Sequence, residues 1–245
     1  MSYGHVLLGH KLSLDQDVGF TNDPRGQRKP TQEVAADTFA ADLLGSRRLI
    51  TRIILRKKWS QNVFKHPHYV YQLSLRLGLS YRATCWALVS NKFITQETGN
   101  ALSIVEPKTI KLKAIADPKW RKPLTNVWEL DELDDGCYLE AAPDDIFLVQ
   151  LSDKSSSGFQ WVIENKDQIE LLGKIREESS GKYGTPSVKK LYFRFLEAGN
   201  HKIHLLHSRA WNKTRIAEIR FNITTYGKEV AGAPRILRNR LLAAG

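Results

Sequence analysis

The first side chains in this sequence able to do chemistry lie in its opening stretch, MSYGHVLLGH. Two histidines one helical turn apart share a face and can bind one metal ion. In the arrangement His-Glu-x-x-His, the glutamate between them is the base that activates zinc-bound water. If His5 is the second histidine, the first falls at position 1 and the glutamate at position 2, where Met1 and Ser2 stand. A catalytic zinc needs about three protein ligands and an open position. Met1 offers a thioether, which suits soft copper better, and the Ser2 hydroxyl cannot replace a carboxylate as proton acceptor. His10 lies five residues on, so a helix would turn it roughly 140° away from His5. Either the metal-binding helix has been cut or the site is inactive. As written, no catalytic residue is intact and peptide hydrolysis is not expected.

Helices should follow to position such a site. From Thr31 the stretch TQEVAADTFAADLLG is rich in Ala and Leu, with Val34, Ala41 and Leu44 near one stripe, Thr31 as cap and Gly45 as stop. RRLITRIILRKKW mixes basic with β-branched residues, and helix and strand both fit it. In HPHYVYQLSLRLGLSYRATCWALVSNKFI, Leu73 and Leu77 share a face and Gly78 breaks the helix. Ser80 then caps a second helix carrying Ala83, Trp86 and Ala87. His66 and His68 flank Pro67 and read as helix-start or loop residues, not ligands. Residues 100–125 hold Pro107, Pro118 and Pro123 among lysines, which suits a linker with one strand at Thr109–Ala114.

Three of these elements in order, the Gly-His at position 5, the run Glu33-Val-Ala-Ala36-Asp37-Thr-Phe39-Ala40-x-x-Leu43-Leu44 and the Leu-Gly-Leu-Ser turn, resemble the ImmA/IrrE metallopeptidases over roughly residues 1–95. The resemblance implies a zinc cofactor, with Glu33 completing a site begun by His5. It also implies that an intact relative cuts a regulatory DNA-binding protein. With serine at the base position, this chain would bind such a partner without cutting it.

The net charge of +11 divides unevenly. All of the excess lies in residues 1–125, whereas residues 126–245 hold 17 Lys+Arg and 17 Asp+Glu. A basic half can attract nucleic acid or an acidic protein, and Arg76 and Arg82 lie near the glycine turn. Cys85 and Cys137 are too few and too far apart for a disulfide framework. No apolar run approaches the roughly 20 residues of a membrane span, and the start does not read as a secretory signal. A cytoplasmic protein without a membrane partner is the expectation.

Past residue 126 the period changes. CYLEA, DIFLVQLS, FQWVIE, QIELLGKI, KKLYFRFLE, HKIHLLHSR and EIRFNITTY are short β-rich runs separated by turn residues. About seven such strands predict an antiparallel sandwich. In LSDKSSSGFQWVI, Gly158, Phe159 and Trp161 match the Gly-Tyr/Phe-x-Trp of the chagasin-like cysteine-peptidase inhibitors. Ser156 and Ser157 stand for that family's threonines, and Lys154 and Ser155 for its Asn-Pro. GTPS, beginning at Gly184, is similar to the family's second loop, with Ser187 where glycine is usual. HSRAWN is similar to its Arg-Pro-Trp loop, keeping Arg209 and Trp211 with Ala210 for proline. Over roughly residues 127–226, this resemblance implies an immunoglobulin-like sandwich whose three loops plug a papain-type peptidase cleft.

The expected fold class is α+β in two domains, a helical zincin remnant followed by an antiparallel immunoglobulin-like β-sandwich. The divisions are 1–100, a linker at 101–126, the sandwich at 127–227 and a tail at 228–245. The expected function is an inactive ImmA/IrrE-type module coupled to a chagasin-like protein-binding domain. The expected partner is a protein, either a regulatory DNA-binding protein or a peptidase. The alternatives are nucleic-acid binding by the basic half and cysteine-peptidase inhibition by the sandwich.

Overall fold

The computed structural model describes residues 42–120, 125–142, 144–153, 158–164, 166–177, 187–209, 211 and 215–226. The chain forms two compact units that divide between Pro107 and Lys108. Of the helix expected from Thr31, residues 42–44 are described and helical, with Gly45 in a turn where a stop was expected; Glu33 and His5 lie outside the described residues.

In the first unit, RRLITRIILRKKW is a helix, α1 (Arg47–Lys57), which buries Ile50 and exposes Arg48 and Arg52. The apolar residues recur at a helical period, and that decides against strand. Helix α2 (Pro67–Leu77) starts on Pro67, whose missing N–H costs nothing at that position. It buries Val70, Leu73, Ser74 and Leu77 along one stripe. Gly78 (φ 68°) ends it in the left-handed region. Helix α3 (Tyr81–Ser90) then begins on Ser80, whose hydroxyl accepts from the Ala83 amide at 3.1 Å. The two-helix reading of this stretch is thus borne out, but the buried face of α3 is Tyr81, Thr84, Cys85 and Leu88, with Ala83, Trp86 and Ala87 only partly covered. The buried stripe is thus rotated by about one residue from the expected one, with Trp86 at its margin. Helices α4 (Gln96–Ser103) and α5 (Pro107–Ala114) follow.

These last two correct the expected linker and its strand. Pro107 opens a helix where Lys113 is exposed, Lys111 is half-buried and Ile110 is buried. Beyond it, Ile115 and Trp120 pack on Val127, Ile146, Leu148 and Tyr192, covering the outer side of a sheet. Residues 114–120 are therefore part of the second unit's packing.

The second unit has eight described strands: β1 (Val127–Leu130), β2 (Cys137–Ala141), β3 (Ile146–Asp153), β4 (Phe159–Ile163), β5 (Ile169–Glu177), β6 (Ser187–Phe195), β7 (Gly199–Arg209) and β8 (Arg215–Thr225). They form two four-stranded sheets, ordered β1-β3-β6-β5 and β2-β8-β7-β4. All seven expected strands are present, and β1, only four residues long, is additional. The sheets are not wholly antiparallel as expected, because β1 pairs with β3 and β2 with β8 in parallel. Pairings between strands distant in sequence leave no mark on local periodicity. The core between the sheets holds Phe147, Phe193 and Phe195, stacked or edge-on at 5.2–5.8 Å, with Ile203, Leu205 and Phe221 fully buried. Asp145 is buried and accepts from the Asn126 amide, the Trp128 indole and the Ala142 amide at 2.8, 2.9 and 3.1 Å. Burial pushes its carboxyl above the ordinary range and these donors oppose the shift. Cys85 and Cys137 are both free and buried.

Candidate functional site

Strand registers gather three loop stems at one end of the sandwich. Asp153, the last residue of β3, stands opposite Ser187, the first of β6. Glu177, the last of β5, stands opposite Val188. Phe159, the first of β4, stands opposite Arg209, the last of β7. The Trp161 indole crosses between the sheets to donate to the Ser152 carbonyl at 2.9 Å, so both sets of stems share one end.

At this end Gly158 adopts φ 79°, a conformation that side-chain-bearing residues rarely take. A Cβ there would also run into the indole of Trp211. Only glycine lets that ring settle against the backbone. Arg209 lies between two aromatic rings, 4.4 Å over Phe159 and 5.7 Å from Trp211. A guanidinium over a ring face gains electrostatic attraction worth about 0.5–1 kcal/mol at exposed sites. Beneath this pair, His207 stacks on Trp161 at 4.4 Å and meets Phe159 edge-on at 5.8 Å. Phe159 and Trp161 are buried, 9% and 5% exposed, whereas Trp211 is 70% exposed. The buried rings are thus a base, and Trp211 and Arg209 are what that base presents.

A polar knot ties the other two stems. Arg176 pairs with Asp153 at 3.0 Å, and Ser187 donates to the same carboxylate at 3.4 Å. Lys189 reaches the Trp161 carbonyl at 3.4 Å. The stem before residues 154–157 and the stems flanking 178–186 are therefore held to one another by side chains.

Of the expected partner-binding residues, Gly158, Phe159, Arg209 and Trp211 come together here. Lys154, Ser156, Ser157 and Gly184 lie outside the described residues, as do the expected metal ligands His5 and Glu33. Among the described residues no group of three His, Cys, Asp or Glu could hold a metal ion. Asp153, Arg176, Lys189 and His207 were not singled out by motif. Asp153 had a signal available: it continues the inward alternation of Phe147, Val149 and Leu151, and a carboxylate in such a row needs a partner.

Comparison with known proteins bears on the sandwich unit. The model of the chagasin family of peptidase inhibitors, I42, matches residues 140–225. Amoebiasin-2 of Entamoeba histolytica is 31% identical over 88 residues, which span 34% of this chain and 72% of that protein. Among solved structures, the cysteine protease inhibitor EhICP2 from Entamoeba histolytica is similar at 23% identity and a TM-score of 0.38, over 42% of this chain and 99% of that one. Amebosin is similar at 15% identity and a TM-score of 0.35, over 41% of this chain and 97% of that one. Through the unit whose loop stems converge on Gly158, Arg209 and Trp211, the chain belongs to the chagasin family of peptidase inhibitors.

Proposed function

We propose that the loop end of the sandwich binds a papain-type cysteine peptidase and blocks its cleft. The carrying observation is Trp211, a large exposed ring seated on Gly158 and held by Arg209, which Phe159 holds in turn. Blocking requires no chemistry from the inhibitor, only shape that survives contact. A ring already fixed on a buried base loses little conformational entropy on docking. The polar knot at Asp153 and Ser187 serves the same end by joining two loop stems. The test is to titrate papain with the full chain. Inhibition at or below micromolar concentration is expected, weakened by Gly158→Val. Full papain activity at that concentration overturns the proposal.

For the first unit we propose an ImmA/IrrE-type remnant that binds a protein partner without cutting it. The α2–Gly78–α3 hairpin supports this, being one of the three elements on which the resemblance rests. Arg76, beside that hairpin's turn, is engaged with Gln72 and lies over Trp59, so it does not favour the nucleic-acid alternative. Purified chain should carry no stoichiometric zinc. One bound zinc that disappears in Glu33→Ala, together with cleavage of a DNA-binding regulator, would show an active site.

A further inference from the structure

The inner face of the sheet containing β3, β5 and β6 changes character toward the loop end. Along β6 it runs Phe195, Phe193, Leu191 and then Lys189, and along β3 it runs Phe147, Val149, Leu151 and then Asp153. On β5, Arg176 stands directly opposite Lys189, with Lys174 two residues away on the same side. Like charges directly opposite one another destabilise a sheet, and inward-facing rows of a sandwich normally build its apolar core. Both rules are broken at one place. There β4 and β5, the outer strands of their sheets, flank a cavity of about 260 Å³ lined by Asp153, Gln160, Lys174, Ile175, Arg176 and Lys189.

Three cations share this cavity with one carboxylate. Asp153 is already engaged by Arg176, and Lys190 on the opposite face is matched by Glu177 at 2.6 Å. Among the described residues neither Lys174 nor Lys189 forms an ion pair. Burial, then the nearby Lys174 and Arg176, hold the Lys189 ammonium below its ordinary range, with Asp153 opposing. The surplus extends to the loops: residues 153–158, 174–190 and 207–215 hold nine Lys+Arg against three Asp+Glu, although residues 126–245 balance.

We propose that this cleft receives an acidic side chain of the inhibited peptidase, its carboxylate lodging between Lys174 and Lys189. The partner assignment rests on the inhibition proposed above, while the cleft's affinity for carboxylate does not. Two measurements on the full chain separate the two. Acetate is the probe in the first, followed by lysine side-chain NMR; the Lys189 signal should shift saturably, and Lys174→Gln should abolish the shift. In the second, Lys189→Met and Lys174→Gln should each raise the inhibition constant for papain about tenfold and flatten its salt dependence. The thermal midpoint of the exposed-rim variant Lys174→Gln should be unchanged. Absence of a saturable acetate shift overturns the site. A saturable shift with an unchanged inhibition constant overturns the peptidase as its occupant. A wild-type chain that leaves papain untouched defeats the inhibition reading and this occupant together, and acetate alone then decides whether the cleft binds anions.

Discussion

In the helical unit the Arg76 guanidinium lies 6.0 Å from the Trp59 ring and Arg47 lies 5.3 Å over Phe93; in the sandwich, Arg209 lies between Phe159 and Trp211. The pairs are alike in chemistry and differ in setting. Trp59 meets Phe64 and Tyr69 edge-on at 6.1 and 5.4 Å, and Arg76 also donates to the Gln72 carbonyl and side chain at 3.1 Å. Arg47 is likewise anchored, donating to the Asn91 carbonyl at 2.9 Å. Those arginines brace a core. Trp211, by contrast, has its backbone support on one side and water on the other. One interaction therefore braces packed rings in the first unit and holds an exposed ring in the second.

Substitution can break that contrast. Trp59→Ala should have the largest effect, lowering the stability of the helical unit by about 3 kcal/mol in thermal or denaturant unfolding, because it removes an aromatic hub. Papain inhibition should be unchanged. Trp211→Ala should do the reverse. Its unfolding midpoint should move little, since the ring is mostly exposed, while the inhibition constant rises about 30-fold, or about 2 kcal/mol, as for an interface anchor. A large stability loss there would make Trp211 a brace like Trp59. Smaller again, Arg209→Lys keeps the charge but loses the planar stacking surface, and should cost about 1 kcal/mol of binding. The finest probe is pH. Burial holds His201 below its ordinary pKa, with its Nε2 against Thr225 at 2.9 Å and no described partner at Nδ1. The unfolded chain therefore takes up this proton first as pH falls. The associated stability is full above about pH 6.5 and declines below it by at most about 1.4 kcal/mol per unit, until the folded-state pKa is reached. His201→Gln should flatten that slope in the sandwich's unfolding transition.

What was legible in the sequence follows how local each signal is. Ser80, Gly78 and Pro67 announce their helix ends because capping is decided within a few residues. The alternation in HKIHLLH fixed which side of β7 faces inward, and Ile203 and Leu205 are fully buried. Gly158, Phe159, Arg209 and Trp211 were picked out because their spacing resembles a known pattern. Asp153, Arg176 and Lys189 were not, since their meeting depends on the pairing of β3 with β6 and of β6 with β5. The strand expected at Thr109–Ala114 failed for a related reason: a short stretch of lysines and β-branched residues fits either period, and Pro107 as a helix start decides it. The four-residue β1 carries too few residues to show alternation, and a parallel partner distant in the chain supplies its reason to exist.

The parallel ladder between β2 and β8 also bears on how the protein is made. Asn222 bonds the Cys137 carbonyl and the Arg220 amide bonds Asp135, each across 85 residues of chain. At about 5–20 residues per second, a translating ribosome leaves β2 without its neighbour for roughly 4 to 17 seconds. During that interval the Cys137 thiol, later buried, lies on an open strand beside uncovered apolar side chains. The ladder between β2 and β8 therefore closes late, and such long-range pairing is intrinsically slow.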